Sequence, residues 1–315
     1  QEVEITSVEV GKRYYIYLIP VQYDGAETKV LYDGQGGRPD NKAVVVLDSP
    51  GYGVMVFDVT HPAFGAIGDG LTDDTAAIQT AVDMAILYGG SVLLAHGTFK
   101  IAGNPFFNII GTARTKSLSM ELVGAKILTS KQVRVPQIAV LRGNGKTWSG
   151  IYAESTFIPS AAISTIARSA NVVTVTTATA HGLEVGATAV VSGVTTTSFN
   201  GGWTVTTVAD ATHFTYAQTA ANANDTTGTV FIPIVVLGDI DPFSHAVRLE
   251  NLRVDCGELA NSVGIYSNNL EEMSGAEHVT VSNCGKYGVW VELSGGGRPY
   301  NYRFEDMEIY PLPNV

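Results

Sequence analysis

Short apolar runs alternate with glycine- and asparagine-rich turns along most of this chain, the pattern of strands joined by tight connections. Examples are Tyr14-Tyr15-Ile16-Tyr17-Leu18-Ile19, Ala43-Val44-Val45-Val46-Leu47 and Asn171-Val172-Val173-Thr174-Val175-Thr176. One stretch departs from it. Ala77, Ile78, Ala81, Val82, Ala85 and Ile86 fall at spacings of three and four, which predicts one amphipathic helix over about 73–88. Thr72 or Asp73 is placed to cap it and Gly89-Gly90 to stop it, with acidic residues near its positive end.

Four regions follow from the pattern. Residues 1–57 read as a small all-β unit, an attachment or a cover for the next domain. Residues 58–160 hold the helix and the first strands of a larger β structure. Residues 161–232 are rich in Val, Thr, Ala and Asn, turn at short intervals, and read as an inserted small β-barrel or sandwich module. Residues 233–315 return to longer spacings and carry a repeat. There Leu249-Glu250-Asn251-Leu252-Arg253-Val254 aligns with Ala276-Glu277-His278-Val279-Thr280-Val281 and with Phe304-Glu305-Asp306-Met307-Glu308-Ile309, at steps of 27 and 28 residues. Val263-Gly264-Ile265-Tyr266 likewise matches Tyr287-Gly288-Val289-Trp290. A solenoid returns its chain beneath itself at a fixed interval, so it predicts this recurrence; a closed sandwich does not.

The segment Phe64-Gly65-Ala66-Ile67-Gly68-Asp69-Gly70-Leu71-Thr72-Asp73-Asp74, then the helix, Gly89-Gly90 and Gly97-Thr98-Phe99, resembles the N-terminal signature of the pectate-lyase-like superfamily, which includes phage tailspikes and depolymerases. Ala95-His96-Gly97 stands where that pattern often has proline. The resemblance covers about 45 residues and implies a mainly β fold: a right-handed parallel β-helix whose N-terminal α-helix caps the first coil. It also implies a homotrimer, carried with other virion tail proteins and engaging a host surface polysaccharide.

Charge narrows the function classes. A formal net charge of −11, with 19 Lys and Arg against 30 Asp and Glu, gives no basic stripe for nucleic acid. No apolar run approaches the roughly 18 residues that span a bilayer, so no membrane insertion is expected. Cys256 and Cys284 allow either a disulfide or two buried thiols, and the thiol reading is the plainer one.

Candidate chemistry is sparse. Glycan hydrolysis needs two carboxyl groups at a fixed separation, and lyase chemistry needs a base beside a neutralised uronate. The carboxylates in the repeat region that qualify are Glu250, Asp255, Glu277, Glu292 and Asp306. Glu250, Glu277 and Glu305 share one repeat position and would form a column about 4.8 Å apart. Such a column is able to bind sugar or a cation such as calcium, or is simply the solvent face of the strands. Trp290, Tyr266 and Tyr300, with Trp148, Trp203, Tyr287 and Tyr302, are candidate glycan platforms; packing between coils or subunits is the alternative for Trp290 and Tyr266, and the core of the inserted module for Trp203. His96, His181, His213 and His278 form no triad, Gly295-Gly296-Gly297-Arg298 lacks a phosphate-loop pattern, and neither a cofactor nor a clustered metal site is expected. About three coils fit in 233–315, a short stub without an end cap, so a further segment or a subunit contact is expected to cover it.

The resemblance therefore implies an extracellular or virion-borne tailspike-like protein that binds capsule or O-antigen, with or without degrading it. The alternatives are a secreted polysaccharide lyase or glycosidase and a non-catalytic structural or decorating virion protein.

Overall fold

A computed structural model describes residues 54–103, 118–136, 138–238, 244–292 and 302–312, together with the backbone of a short strand at Val45–Leu47. Most of the region 1–57 thus lies outside the described residues, as does Tyr300.

The first strands are β1 (Val45–Leu47), β2 (Val54–Asp58) and β3 (Asp69–Asp73), followed by α1 (Thr75–Tyr88), β4 (Gly90–Ile101) and β5 (Leu118–Thr129). The strands β6 (Val133–Val135), β7 (Ala139–Gly143) and β8 (Gly150–Ala153) come next. Seven strands then pair only with one another, all antiparallel: β9 (Ser160–Ser169), β10 (Val172–Thr177), β11 (Thr188–Ser192), β12 (Gly201–Asp210), β13 (His213–Ala217), β14 (Ala223–Asp225) and β15 (Thr229–Phe231). The chain closes with β16 (Val235–Leu237), β17 (Arg248–Glu250), β18 (Arg253–Asp255), β19 (Val263–Asn268), β20 (Gly275–Glu277), β21 (Thr280–Cys284), β22 (Tyr287–Glu292), β23 (Arg303–Glu305) and β24 (Glu308–Pro311).

Apart from β1, which pairs antiparallel with β2, the strands outside the antiparallel group stack in parallel on three faces. The first face runs β2, β4, β5, β7, β17, β20, β23. The second runs β3, β4, β5, β8, β18, β21, β24. The third runs β6, β16, β19, β22. Parallel neighbours cannot be joined by a hairpin, and from β5 onward the chain visits all three faces before returning one level along the stack. Both aligned repeats fall in register: Leu249 pairs with Ala276 and Ala276 with Phe304, while Ile265 pairs with Val289.

β4 and β5 each serve two faces because they bend once, at His96 (φ 49°) and Gly124 (φ 60°). The same corner recurs at Asn251 (φ 53°), His278 (φ 53°) and Asp306 (φ 48°). A one-residue reversal needs the left-handed region, which Asn, Asp and His tolerate better than most side chains. That requirement explains why the third position of the repeat is polar.

Inward residues make the core. Leu249, Val254, Ile265 and Val281 are completely buried, each contributing roughly 1.5–3 kcal/mol relative to an exposed position. The helix presents Ile78, Ala81, Val82 and Ala85 to the same core and makes the connection from β3 to β4 that later coils make with a third-face strand. It starts at Thr75, two residues later than the spacing predicts. Asp73 accepts the Thr75 N–H, and Asp74, the residue before the helix, turns its carboxylate back to the N–H groups of Ile67 and Gly68 at 2.7 and 3.1 Å. The paired aspartates therefore divide their work: Asp73 holds the helix start and Asp74, almost fully buried, holds the preceding turn.

Cys256 and Cys284 form a disulfide, which corrects the buried-thiol expectation. Their separation of 28 residues is one coil, so they meet at the same point of adjacent levels.

Candidate functional site: the outer first face

Side chains alternate along each strand, so Leu249, Ala276 and Phe304 point inward while their neighbours form two outer columns. One column reads Ser119, Val140, Arg248, Gly275, Arg303 and the other Glu121, Arg142, Glu250, Glu277, Glu305. The expected carboxylate column is thus present as a register, but it is laced with arginines. Arg142 places Nε 2.7 Å from Glu250 Oε2 and Nη1 3.4 Å from Glu121 Oε1. Arg248 places Nε 2.6 Å from Glu250 Oε1 and Nη2 2.7 Å from Glu277 Oε2. His278 lies 3.4 Å from both Glu277 Oε1 and Asp306 Oδ2.

Both oxygens of Glu250 are occupied by guanidinium N–H donors, and the residue is buried. Engaged on both oxygens and shielded from solvent, it is poorly placed to meet a substrate. The pairing to Glu250 also holds the Arg142 guanidinium above its ordinary pKa. Glu277 and Glu305 keep 39% and 58% of their side-chain surface exposed, the most open carboxylates of the column.

Between Arg248 and Arg303 the column narrows to Gly275, at φ 137°. A Cβ there would collide with the Arg303 backbone, so only glycine fits. Beside this close approach lies a hollow of about 770 Å³ bounded by Arg248, Glu272, Met273, Glu277, Tyr302, Arg303 and Glu305. Its walls offer guanidinium donors, carboxylate acceptors and one aromatic ring on rigid strands, the mixture that sugar hydroxyls require. The arginines were not singled out from the sequence, although Arg248-Leu249-Glu250 and Arg303-Phe304-Glu305 place each two residues before a column carboxylate and hence on the same side of its strand.

The other candidates lie elsewhere. Asp255, on the second face, is buried; it accepts from Ser282 Oγ at 3.0 Å, Asn283 Nδ2 at 2.9 and 3.1 Å and the Gly257 N–H at 2.9 Å, which makes it a corner brace. Asp306 is the left-handed corner residue beside Glu305.

Tyr266, Trp290 and Glu292 lie on the third face, where the antiparallel group is seated. Arg134, Val236, Tyr266 and Trp290 are consecutive in one outer column. Arg134 donates to Gly186 O, Tyr266 packs against Gly202, and Trp290 meets Phe231 edge-on at 5.9 Å. Gln132 completes the contact, donating to Thr188 O at 3.0 Å and accepting the Thr188 N–H at 2.7 Å. Tyr266 is completely buried, with its hydroxyl donating to Glu292 Oε2 at 2.8 Å. Burial and that carboxylate together hold its pKa above the ordinary tyrosine value. It has no free ring face for a sugar, and Trp290 is half-buried against it at 6.1 Å. No signal in the sequence distinguishes an aromatic that holds a neighbouring sheet from one that waits for a ligand.

Among the described residues, no group of three or more His, Cys, Asp or Glu side chains is gathered as metal ligands would be, and no helix is long and apolar enough to cross a membrane.

No family model matches the chain. Mannuronan C5-epimerase AlgE5 of Azotobacter vinelandii is 54% identical to it over 41 residues, 13% of this chain and 4% of that protein. AlgE3 of the same organism is 54% identical over 99 residues, 30% of this chain and 5% of that protein. The chain thus spans about one twentieth of the length of these curated relatives. Similar solved structures include the A-module of the A. vinelandii mannuronan C-5 epimerase AlgE4, at TM-score 0.34 and 13% identity, covering 75% of this chain and 41% of that one. The Streptococcus pneumoniae surface protein and adhesin PfbA matches at TM-score 0.27 and 13% identity, over 81% and 60% of the two chains. The tailspike protein gp49 of Pseudomonas phage LKA1 matches at 0.24 and 17%, over 76% and 43%. These scores are low, and the architecture rests on the strand registers described above.

Proposed function

We propose that this chain belongs to an extracellular polysaccharide-binding protein of the tailspike kind, a right-handed parallel β-helix that takes a host glycan along its first outer face. The observation that carries the reading is the hollow at Gly275, where exposed Arg303, Glu277 and Glu305 stand on in-register strands. Rigid strands hold polar groups at fixed spacing more accurately than loops do, and a repeating polymer needs a repeating surface. The disulfide supports an oxidising location outside the cytosol.

In this reading α1 caps the first coils, residues 161–232 form a grafted module, residues 1–57 attach the chain to other virion tail proteins, and three copies associate. Glu250, held by arginines on both oxygens, is set aside as a catalytic carboxylate in this reading. The test is adsorption of the purified protein to encapsulated cells, to the same cells stripped of capsule, and in competition with free capsular polysaccharide. Capsule-dependent, competable adsorption is expected; equal adsorption to stripped cells would refute the reading.

A second reading, modification of a uronate polymer, is prompted by the mannuronan epimerases that share local sequence. The acidic side chains at the hollow, Glu272, Glu277 and Glu305, outnumber its arginines and disfavour a polyanion. Incubation with alginate, followed by absorbance of the unsaturated product and by anomeric NMR, would detect it.

A further inference from the structure

The corner between the first and second faces is turned in two residues at Asn251-Leu252, His278-Val279 and Asp306-Met307, but by six, 144–149, between β7 and β8. This longer loop is firmly held. The Trp148 and Ser149 N–H groups donate to Gly145 O at 3.1 and 3.0 Å, and the Gly145 N–H donates to Asn251 O at 3.0 Å. Ser149 Oγ donates to Leu122 O at 2.6 Å. Lys146 extends along the stack and sets Nζ 3.7 Å from Asp306 Oδ2 and 3.5 Å from Glu308 Oε1.

On this pinned loop Trp148 is 69% exposed. Leaving so large a ring in water forgoes roughly 2 kcal/mol of burial, and a loop held at both ends does not swing it elsewhere. The other two tryptophans are engaged: Trp203 stacks on Tyr216 at 5.0 Å, and Trp290 meets Phe231, Tyr266 and Tyr287. Trp148 shares the loop with Lys146, which reaches Asp306 and Glu308, and a flat ring on a loop that also carries charge suits a ligand with an apolar ring face and a polar rim.

We propose that Trp148 is a second sugar-binding subsite, stacking one pyranose of a neutral polysaccharide while Lys146 and Asp306 take its hydroxyls. This rests on the polysaccharide-binding reading and deepens it. Asp306 adjoins Glu305, which lines the hollow, so one glycan chain passes from the first face over the corner to the indole. Asp306 and Glu308 beside a single Lys146 disfavour a uronate there.

The intact protein would be titrated with dextran, laminarihexaose, chitohexaose and alginate, following acrylamide quenching of tryptophan fluorescence. Retardation in gels containing each glycan would be read in parallel for wild type, Trp148→Ala and Trp148→Tyr. At least one neutral glycan is expected to shield the fluorescence. Trp148→Ala should then weaken retardation about tenfold while Trp148→Tyr retains most of it, with light scattering and thermal unfolding unchanged. Retardation that persists in Trp148→Ala would overturn the subsite and leave the general reading standing. A change of oligomeric state in that variant would make Trp148 a subunit contact and overturn it too. No retardation of any variant by any glycan would defeat both.

Discussion

Glu250 and Glu277 stand one coil apart in register and share a single partner, Arg248, whose Nε is 2.6 Å from the first and whose Nη2 is 2.7 Å from the second. The arginine side chain therefore ties adjacent coils together on their outer surface. Two like charges one strand spacing apart would otherwise repel, and the guanidinium converts that repulsion into a clamp.

Arg248→Ala removes the clamp and leaves Glu250 with Arg142 alone. A loss of about 1–3 kcal/mol is expected, less than for a fully buried pair because Arg248 is 40% exposed. A double-mutant cycle with Glu250→Gln, read by urea unfolding, should give a coupling of about 1 kcal/mol. Strict additivity would mean that the contact contributes nothing.

The Cys256–Cys284 bond closes a loop of one coil, and the chain-entropy relation gives roughly 3.5 kcal/mol for a loop of that size. Thiol titration of the unfolded, unreduced protein should find no free cysteine. Adding reductant, or making Cys256→Ser with Cys284→Ser, should lower the unfolding midpoint by a corresponding amount.

Two histidines use the same local device. His61 Nδ1 accepts the Ala63 N–H at 3.1 Å, and His181 Nδ1 accepts the Leu183 N–H at 2.9 Å. Burial lowers the pKa of both below 6.5. The unfolded chain thus takes up protons before the folded one does, so this contribution is complete above pH 6.5 and is lost as pH falls toward the folded values. Melting temperature should drop between pH 7.5 and pH 5, and His181→Gln should flatten part of that slope. An unchanged slope would contradict the assignment.

The antiparallel group is held against the third face by a close approach at Gly202. Any Cβ there strikes the Tyr266 hydroxyl end. Gly202→Ala should loosen the seating without unfolding the coils, seen as faster proteolysis near 154–160 and 232–234 and as increased exposure of Trp290. Unaltered cleavage would show that the contact is not limiting.

Much of the stack could be read from the chain because a solenoid writes its geometry as an interval. The six-residue alignments starting at Leu249, Ala276 and Phe304 are the observed registers. Cys256 and Cys284 are separated by nearly the same interval, 28 residues, which brings them to neighbouring positions on adjacent levels. The site was less legible. A carboxylate column is visible in sequence, but whether its members are free depends on arginines arriving from neighbouring levels, as Arg142 does for Glu250. Tyr266 and Trp290 belong to a contact between segments far apart in the chain, and pattern within either segment carries no trace of it.

In the proposed reading, glycan lies on the first face at the Gly275 hollow. Retardation of the intact protein in gels containing purified capsular polysaccharide tests it most directly, comparing wild type with Glu277→Gln/Arg303→Ala after thermal unfolding has shown both to be folded. Wild type should be retarded, and the double variant should migrate as it does without glycan. Equal retardation of the two would contradict it.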